Sequence, residues 1–499
     1  MIRNLFLNPP LPQKTAVIDG EASITFQDLI QKAISIQSCL PRSHWENAVI
    51  FLPDGSDFIA ALFGIFLMGK TAFPLNVHLT KHEMIPLLKQ TDTGIIITSQ
   101  RFHPVFEEIN AGPVPHLQVI YVEECQPKES MQLLFEPSTG SDVPLVLLTT
   151  SGSTGRVKIV PLTERNVETT VLGYIDRMCY EDMNEEDMNE EEIKYILAAP
   201  FSSAYGLMIL CACLIKAFPL VLLKEGFTLD SFYKTVQDHR VTHYEGGAMI
   251  PLLMEQTAGR PIPYDIHLLK YYGFGGSKIS GATLRNLLNA YPGIQLWQGY
   301  GMTEAAPLIT KYTKTSVEKL DSVGKAIKGV KIFIEADGMI TDSPYTNGEI
   351  LVKGLNVMSG YYRNQEETKA VLKNGYLYTG DLGYLDEEGY LYIYGRKKNV
   401  IIVRGFNVYP EEVEACILNS LLAKDCVVYG ETDEWGNETV CADIIPADTQ
   451  SSREEIQEEI RAYCKVHLSG FKQPRKIKIV DTIRKTVSGK NERRREEQS

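Results

Sequence analysis

The 499-residue sequence is poor in cysteine, and its nine cysteines form no pattern. Only Cys211 and Cys213 lie close together, there is no Cys-x-x-Cys, and no His/Cys spacing suits a zinc site. A disulfide scaffold and a thiolate metal centre are excluded, and the thiols are expected to be reduced and mostly buried, as in a cytoplasmic protein. Positive charge is also in deficit. A formal net charge of −13 argues against broad nucleic-acid binding, so an anionic ligand would have to be held by a local cluster. The opening segment MIRNLFLNPPLPQ lacks the apolar core of a signal peptide. No apolar run is clean enough to span a bilayer. The longest, Leu207 to Leu223, is interrupted by Lys216 and Pro219 and reads as a buried helix running into a strand. What is abundant is apolar residue, 44% of the chain, enough for sizeable cores in about two to four folding units.

The most informative stretch is LLTTSGSTGRVKIVPLT, Leu147 to Thr163. An apolar strand runs into Thr149 to Gly155, where every residue is Thr, Ser or Gly, and a second strand follows. Gly152 and Gly155 allow close backbone approach. The hydroxyls of Thr149, Thr150, Ser151, Ser153 and Thr154, with the loop N–H groups, offer donors to phosphate oxygens, and Lys158 adds a point charge. Composition alone would suit a surface turn, but this run between apolar strands points to a triphosphate-binding loop. Gly64 to Thr71, GIFLMGKT, matches the Walker A pattern by letter, yet its variable positions are Ile, Phe, Leu and Met. It reads as the C-terminus of a buried helix closed by Gly69 and leading into a strand.

Along the chain, helical and strand patterns alternate. Thr25 to Cys39, Phe58 to Met68, Glu164 to Met178, Phe232 to His239 and Ile250 to Thr257 read as helices. Ala48 to Leu52, Gly94 to Thr98, Ile196 to Ala199, Leu220 to Leu223 and Leu268 to Phe274 read as strands, and Val241 to Tyr244 as extended. This is the pattern of doubly wound α/β units, whose ligands sit beyond the carboxyl ends of the strands. Gly275 to Ser277, and the loop Gln298 to Pro307 after a strand Ile294 to Trp297, are therefore candidate binding edges. In that loop Tyr300 can offer a flat face to a base, and Thr303 with Glu304 suits a phosphate and its magnesium ion. The tract Glu181 to Glu192 is acidic with little to bury and reads as a solvated loop. After Lys311 short strands predominate, including a hairpin around Asp386 to Gly389, and make a small β unit.

Five stretches in order, TTSGSTGRVK, GYGMTE, YTGDLGYLDEEGYLYIYGRKK, GFNVYPEEVE and TVSGK, resemble the signature set of the adenylate-forming superfamily: acyl-CoA synthetases, peptide-synthetase adenylation domains and luciferases. They span Thr149 to Lys490, and the overall type is that of stand-alone acyl-CoA synthetases. The resemblance implies an α/β fold: a large N-terminal domain, residues 1–397, of two doubly wound α/β subdomains plus a small β-barrel-like subdomain, then a small mobile α+β domain, 398–499, hinged at Lys398.

It also implies roles. Thr150, Ser151, Gly152, Ser153, Thr154, Gly155 and Lys158 embrace the β- and γ-phosphates of ATP. Gly275, Gly276, Ser277 and Tyr300, within Gln298, Gly299, Tyr300, Gly301 and Met302, hold adenine. Thr303 contacts phosphate, Glu304 holds Mg2+, and Asp381 with Arg396 takes the ribose hydroxyls. Lys490 draws the carboxylate and the α-phosphate together, and Gly405 lines the thiol channel after domain rotation.

Departures from the family pattern bear on the acid. Val157 and Ile159 stand where Pro and Gly usually flank the loop lysine. Ser203 replaces a frequent gating histidine, Ala248 and Met249 replace paired prolines, and PFSSAYG has no acidic residue to bind an amino group. The expected substrate is a largely apolar carboxylic acid of aliphatic, fatty-acid type, in a pocket near Ser203, Ala204, Gly246, Gly247, Phe274 and Met302. Its expected acceptor is coenzyme A. The alternatives are the phosphopantetheine of a separate carrier protein and, less favoured, a luciferase-like oxygenase, whose usual SKL ending is absent.

Overall fold

The computed structural model describes the chain except residues 10, 42–44, 113, 115, 127–132, 137–141, 152–156, 179–192, 224–227, 278, 313–314, 404–405, 433–437, 448–451, 486–492 and 494–499, and the side chains of Ser151 and Phe406. It is α/β, with a large N-terminal domain and a small C-terminal one. A six-stranded sheet runs in the order Gln118–Tyr121, Ile95–Thr98, Asn47–Phe51, Thr71–Pro74, Pro144–Ser151, Val157–Thr163. All its pairings are parallel except the last, in which the two strands of the hydroxyl loop form an antiparallel hairpin.

A nine-stranded sheet has at its centre Gln295–Gly301, Tyr271–Gly275, His243–Gly247, Tyr195–Leu197 and Leu220–Leu222, all parallel. Leu308–Lys311 folds back antiparallel on Gln295–Gly301. A third sheet is built on Val330–Ala336, Gly348–Gly354, Tyr376–Leu385 and Leu391–Arg396. The smaller C-terminal unit is a three-stranded sheet, Ala423–Thr432, Glu438–Pro446 and Lys476–Ile479, with helices Pro410–Asn419 and Arg453–His467 and its own apolar core.

Local rules account for the elements. Thr25 caps the helix Phe26–Cys39 through a reciprocal box with Asp28. The helix Ser56–Leu67 is buried along almost its whole length, and inside it Phe63 stacks on Phe6 with ring centroids 4.3 Å apart. The Walker-like letters fall where the pattern placed them: that helix ends, Gly69 turns the chain at φ +68°, and the strand Thr71–Pro74 begins. The long apolar run is the buried helix Ala204–Lys216 followed by the strand Leu220–Leu222, and no helix among the described residues is long and apolar enough to cross a membrane. The described cysteines are all free, with Cys211, Cys213, Cys416, Cys426, Cys441 and Cys464 buried. The acidic tract lies outside the described residues.

The two faces of the nine-stranded sheet have separate cores. One, beneath the helices Glu164–Arg177 and Ala204–Lys216, contains Tyr195, Tyr271 and Trp297, and the other contains Tyr244, Tyr272 and Phe274. His243 is buried on the first face, stacked between Tyr195 and Tyr271 at 4.5 Å from each ring centroid. Its Nδ1 meets the Thr242 hydroxyl at 2.7 Å, and its Nε2 is buried without a partner.

Burial, helped by the Lys311 charge, pushes the His243 pKa down from 6.5 to about 3. The imidazole thus stays neutral in the fold while the unfolded chain takes up a proton below pH 6.5. Stability therefore falls with acidification across that window, by at most about 1.4 kcal/mol per pH unit from this group. His243→Phe keeps the stacking and removes the titration, so its urea midpoint should fall less steeply below pH 6.5 than that of the parent. Equal slopes would show that this histidine does not drive the acid sensitivity.

Candidate active site at the carboxyl edge of the sheets

The two strands that flank the hydroxyl run form the edge hairpin, and the first of them includes Thr149, Thr150 and Ser151. Thr150 pairs with Lys158 and Ser151 with Val157 at the ends of the two strands. Gly152, Ser153, Thr154 and Gly155 lie outside the described residues. Lys158 points inward: its ammonium is ion-paired with Glu367 and lies 4.7 Å from the centroid of the Tyr361 ring. The Tyr361 hydroxyl in turn donates to Glu304 Oε1 at 2.8 Å, and Glu304 is buried. Burial first, and then the Glu304 carboxylate, raise the Tyr361 pKa, so the phenol stays a donor.

Glu304 lies in the short 3-10 turn Thr303–Ala305, which also positions Thr303. The sequence suggested that Gln298 to Pro307 is a loop after a strand ending at Trp297. The strand instead continues through Gln298, Gly299, Tyr300 and Gly301, because Leu308–Lys311 doubles back and pairs Gly299 with Lys311 and Tyr300 with Thr310. Glycine is required at 301, where a Cβ would sit 1.9 Å from the Pro307 carbonyl oxygen. Met302 leads from the strand into the turn.

Tyr300 reaches across to the third sheet. Its hydroxyl donates to Asp381 Oδ2 at 2.7 Å, and Arg396 Nε donates to Asp381 Oδ1 at 2.6 Å. Asp381 is buried and stands directly opposite Arg396 between Tyr376–Leu385 and Leu391–Arg396, so it is a strand residue and not a turn former. The predicted hairpin turn follows, with Asp386 Oδ1 accepting from the N–H groups of Glu388 and Tyr390. Gly275 ends the strand Tyr271–Gly275, and Gly276 has φ +81°, which turns the chain to Ser277.

Of the residues expected around an acid, Ser203 is the N-cap of the helix Ala204–Lys216. Its Oγ accepts from Gly206 N at 3.0 Å and donates to the Pro200 carbonyl at 2.7 Å, and Ala204 opens the helix, buried. Gly246 and Gly247 end the strand His243–Gly247. Phe274 is buried in the second core, on the same face of the sheet as its register partner Gly246, while Gly273 lies on the first face opposite Glu245. Lys398 lies in the turn Lys397–Asn399 just after the third sheet. Gly405 and Lys490 lie outside the described residues.

The residues missed by sequence reasoning form a buried polar cluster among these positions. Glu245, one residue before Gly246, is fully buried and paired with Lys311 at 2.9 Å. Its Oε1 also accepts from the Tyr174 hydroxyl at 2.7 Å, and its Oε2 accepts from the Tyr205 hydroxyl. The lane it occupies exists because residue 273 is glycine, where a Cβ would lie 2.0 Å from Glu245 Oε1. Burial pushes the Lys311 pKa down and Glu245 works against that shift. The signal available in the sequence was a lone glutamate inside an extended segment, VTHYEGG, and a lone lysine in LITKY.

Three carboxylates, Glu245, Glu304 and Asp381, are thus buried, each held by a tyrosine hydroxyl. Only Glu304 among them has no cation against it in the described structure. A magnesium ion that keeps its waters and takes its other ligands from substrate phosphates needs just one or two protein carboxylates, so Glu304 beside Thr303 fits that requirement.

Comparison with known proteins agrees with this architecture. The family model described as AMP-binding enzyme matches residues 10–362, and the one for the AMP-binding enzyme C-terminal domain matches residues 412–490. The chain belongs to the AMP-binding enzyme family. It is 29% identical over 486 residues to the 2-succinylbenzoate–CoA ligase of Bacillus subtilis, covering 96% of this chain and 94% of that one. It is 28% identical to the long-chain-fatty-acid–CoA ligase of the same organism, covering 97% and 91%. The structure of the Bacillus subtilis o-succinylbenzoate CoA synthetase in complex with an acyl-adenylate intermediate superposes with a TM-score of 0.82 at 28% identity, covering 98% and 95%.

Lys311→Met should leave Glu245 buried without its countercharge and cost about 3–5 kcal/mol, read as a lower thermal midpoint. A midpoint equal to the parent's would mean that the carboxylate is neutralised in another way.

Proposed function

We propose that the chain is an AMP-forming acid–thiol ligase that adenylates a carboxylic acid with ATP and transfers the acyl group to coenzyme A. The observation carrying this reading is a pair of contact chains, one behind the lysine of the loop and one at the ribose-type acceptor, joined by four residues of chain. Lys158 lies over Tyr361 and Tyr361 holds Glu304, while Tyr300, near the end of the strand that leads into the Glu304 turn, holds Asp381. In the first half-reaction a carboxylate oxygen attacks the α-phosphorus and the bond to pyrophosphate breaks. In the second, the thiol sulfur attacks the acyl carbon and AMP leaves.

The chain's residues serve those steps by position and charge. Thr150 to Gly155 and Lys158 hold the departing phosphates, Lys158 exchanging Glu367 for them. Gly275, Gly276, Ser277 and Tyr300 frame the adenine. Asp381, an acceptor fixed by Arg396, takes the ribose hydroxyls. Thr303 meets a phosphate oxygen, and Glu304 would hold Mg2+, which supplies charge neutralisation to the phosphates. Lys490 bridges the carboxylate and the α-phosphate. A hinge at Lys398 lets the domain from 398 onward present Lys490 in one half-reaction and the segment around Gly405, beside the thiol path, in the other.

The aliphatic acid expected from the apolar pocket residues is supported by the likeness to a long-chain-fatty-acid–CoA ligase. The likeness to 2-succinylbenzoate–CoA ligases supports an aryl acid instead. No observation favours a carrier protein or an oxygenase over coenzyme A.

The test is ATP–pyrophosphate exchange over a panel of aliphatic, aryl and amino acids, followed by coenzyme A with the best of them. Exchange with at least one acid, and a thioester on adding coenzyme A, are expected. Lys490→Ala should lose about 100-fold or more of the exchange while still binding ATP. A panel without any exchange would sink the enzymatic reading.

A further inference from the structure

Glu304 is carried by a turn whose backbone is held from outside. Ala306, which closes the turn Thr303–Ala305, sits at φ +60°, in the left-handed region that an alanine adopts only at a cost. Such a turn keeps one shape only where its surroundings fix it. Here the fixing groups are polar. The Asn356 side chain is fully buried, and its Nδ2 donates to the Ala305 carbonyl at 3.0 Å and to the Leu308 carbonyl at 3.1 Å, one before Ala306 and one after it. The Met358 N–H donates to the Glu304 carbonyl at 2.9 Å, and the Thr170 hydroxyl donates to the Ala306 carbonyl.

Asn356 is itself held. The carbonyls of its neighbours Leu355 and Val357 accept from Asn166 Nδ2 at 2.8 and 2.9 Å, and Asn166 Oδ1 accepts from the Thr163 N–H at 2.9 Å. Thr163 ends the strand Val157–Thr163, which carries Lys158 near its start. The Tyr362 N–H donates to the carbonyl of Ile159, next to Lys158, at 2.8 Å. Residues 355–362 are therefore bonded both to this strand and to the Glu304 turn, and from them Tyr361 donates to Glu304 Oε1. One stretch of chain thus fixes Glu304 twice, through its backbone by Asn356 and through its carboxylate by Tyr361. Glu304 Oε2 has no partner among the described residues.

We propose that Asn356 and Tyr361 are the positioning residues of a magnesium site, setting the direction in which Glu304 presents Oε2 to a divalent cation. This rests on the reading of Glu304 as the magnesium carboxylate and adds the groups that aim it. Magnesium demands near-octahedral geometry and tolerates little error in the placement of a ligand. Groups that orient a ligand without touching the metal are worth about 10- to 100-fold in metal affinity. Asn356 holds the turn in the one shape that points Glu304 inward, and Tyr361 holds one oxygen so that the other is left for the cation.

The experiment measures the dissociation constant of Mn2+, a paramagnetic stand-in for Mg2+, from the complex of the full-length protein with α,β-methylene ATP, read from the spin-resonance signal of free Mn2+. The proteins are the parent, Tyr361→Phe, Asn356→Ala and Glu304→Gln, and the affinity of each for the same nucleotide in EDTA is measured alongside. Tyr361→Phe keeps the ring against Lys158, and both it and Asn356→Ala should weaken Mn2+ about tenfold or more with the metal-free nucleotide affinity unchanged. A merely structural loss weakens both together. Tyr361→Phe deletes one hydroxyl and decides the outcome where Asn356→Ala does not fold. Mn2+ held by Tyr361→Phe or by folded Asn356→Ala as tightly as by the parent, with Glu304→Gln impaired, overturns the positioning and leaves Glu304 as the ligand. So does an equal loss of metal and metal-free nucleotide affinity. Mn2+ held equally by the parent and Glu304→Gln overturns the reading of Glu304, and the positioning with it. Absence of nucleotide binding by the parent overturns adenylation and the site together.

Discussion

A carboxylate removed from water has to be met by donors or a cation, and this constraint organises the centre of the molecule. Glu245, Glu304 and Asp381 are all buried, and each is held by a tyrosine hydroxyl from another element: Tyr174 and Tyr205, Tyr361, and Tyr300. Because the partners lie far apart in the chain, these bonds tie the nine-stranded sheet to its covering helices and to the third sheet. Tyrosine suits the task. Its ring contributes apolar area to the surrounding core and its hydroxyl reaches the charge.

The same arrangement divides labour. Asp381 is already oriented by Arg396 and Tyr300, so the ribose-acceptor role proposed for it would need no reorganisation. Glu304 is oriented by a neutral donor alone, which leaves its charge available. Glu245 has its charge spent on Lys311, and what it offers is rigidity: a polar wall that fixes Tyr205. Three buried carboxylates thus differ in the charge left to them because of what faces each of them.

Much of this was legible in the chain. The apolar strands on either side of the Thr149 to Gly155 run are present, the first continuing through Ser151, and the Gly64 to Thr71 decoy was recognisable because its variable positions are apolar. Local composition is informative where the backbone itself does the work. It was less informative where pairing decides. The strand through Gln298 to Gly301 is rich in glycine and reads as a loop, until Leu308–Lys311 supplies the ladder it needs. Alternation along the strand sets Phe274 on the same face as Gly246 and opposite Gly273, a division that the letters GFGG do not show. The partnership of Glu245 with Lys311 crosses the sheet between residues far apart in sequence, and a single charged letter in each strand does not say which other letter it meets. Lys490 and Gly405 were visible only through the resemblance of TVSGK and GFNVYP to known signatures.

The most direct measurement of the central claim is calorimetric titration of the protein with a non-hydrolysable acyl-sulfamoyl adenosine bearing a short acyl chain, alongside Asp381→Asn. Such a compound carries the adenine, ribose and acyl parts of the intermediate in one molecule. The account predicts tight binding to the parent, weakened about tenfold to a hundredfold in Asp381→Asn, as expected for loss of charge-assisted bonds to the ribose. Absence of binding to the parent, or equal affinity in both proteins, would contradict it.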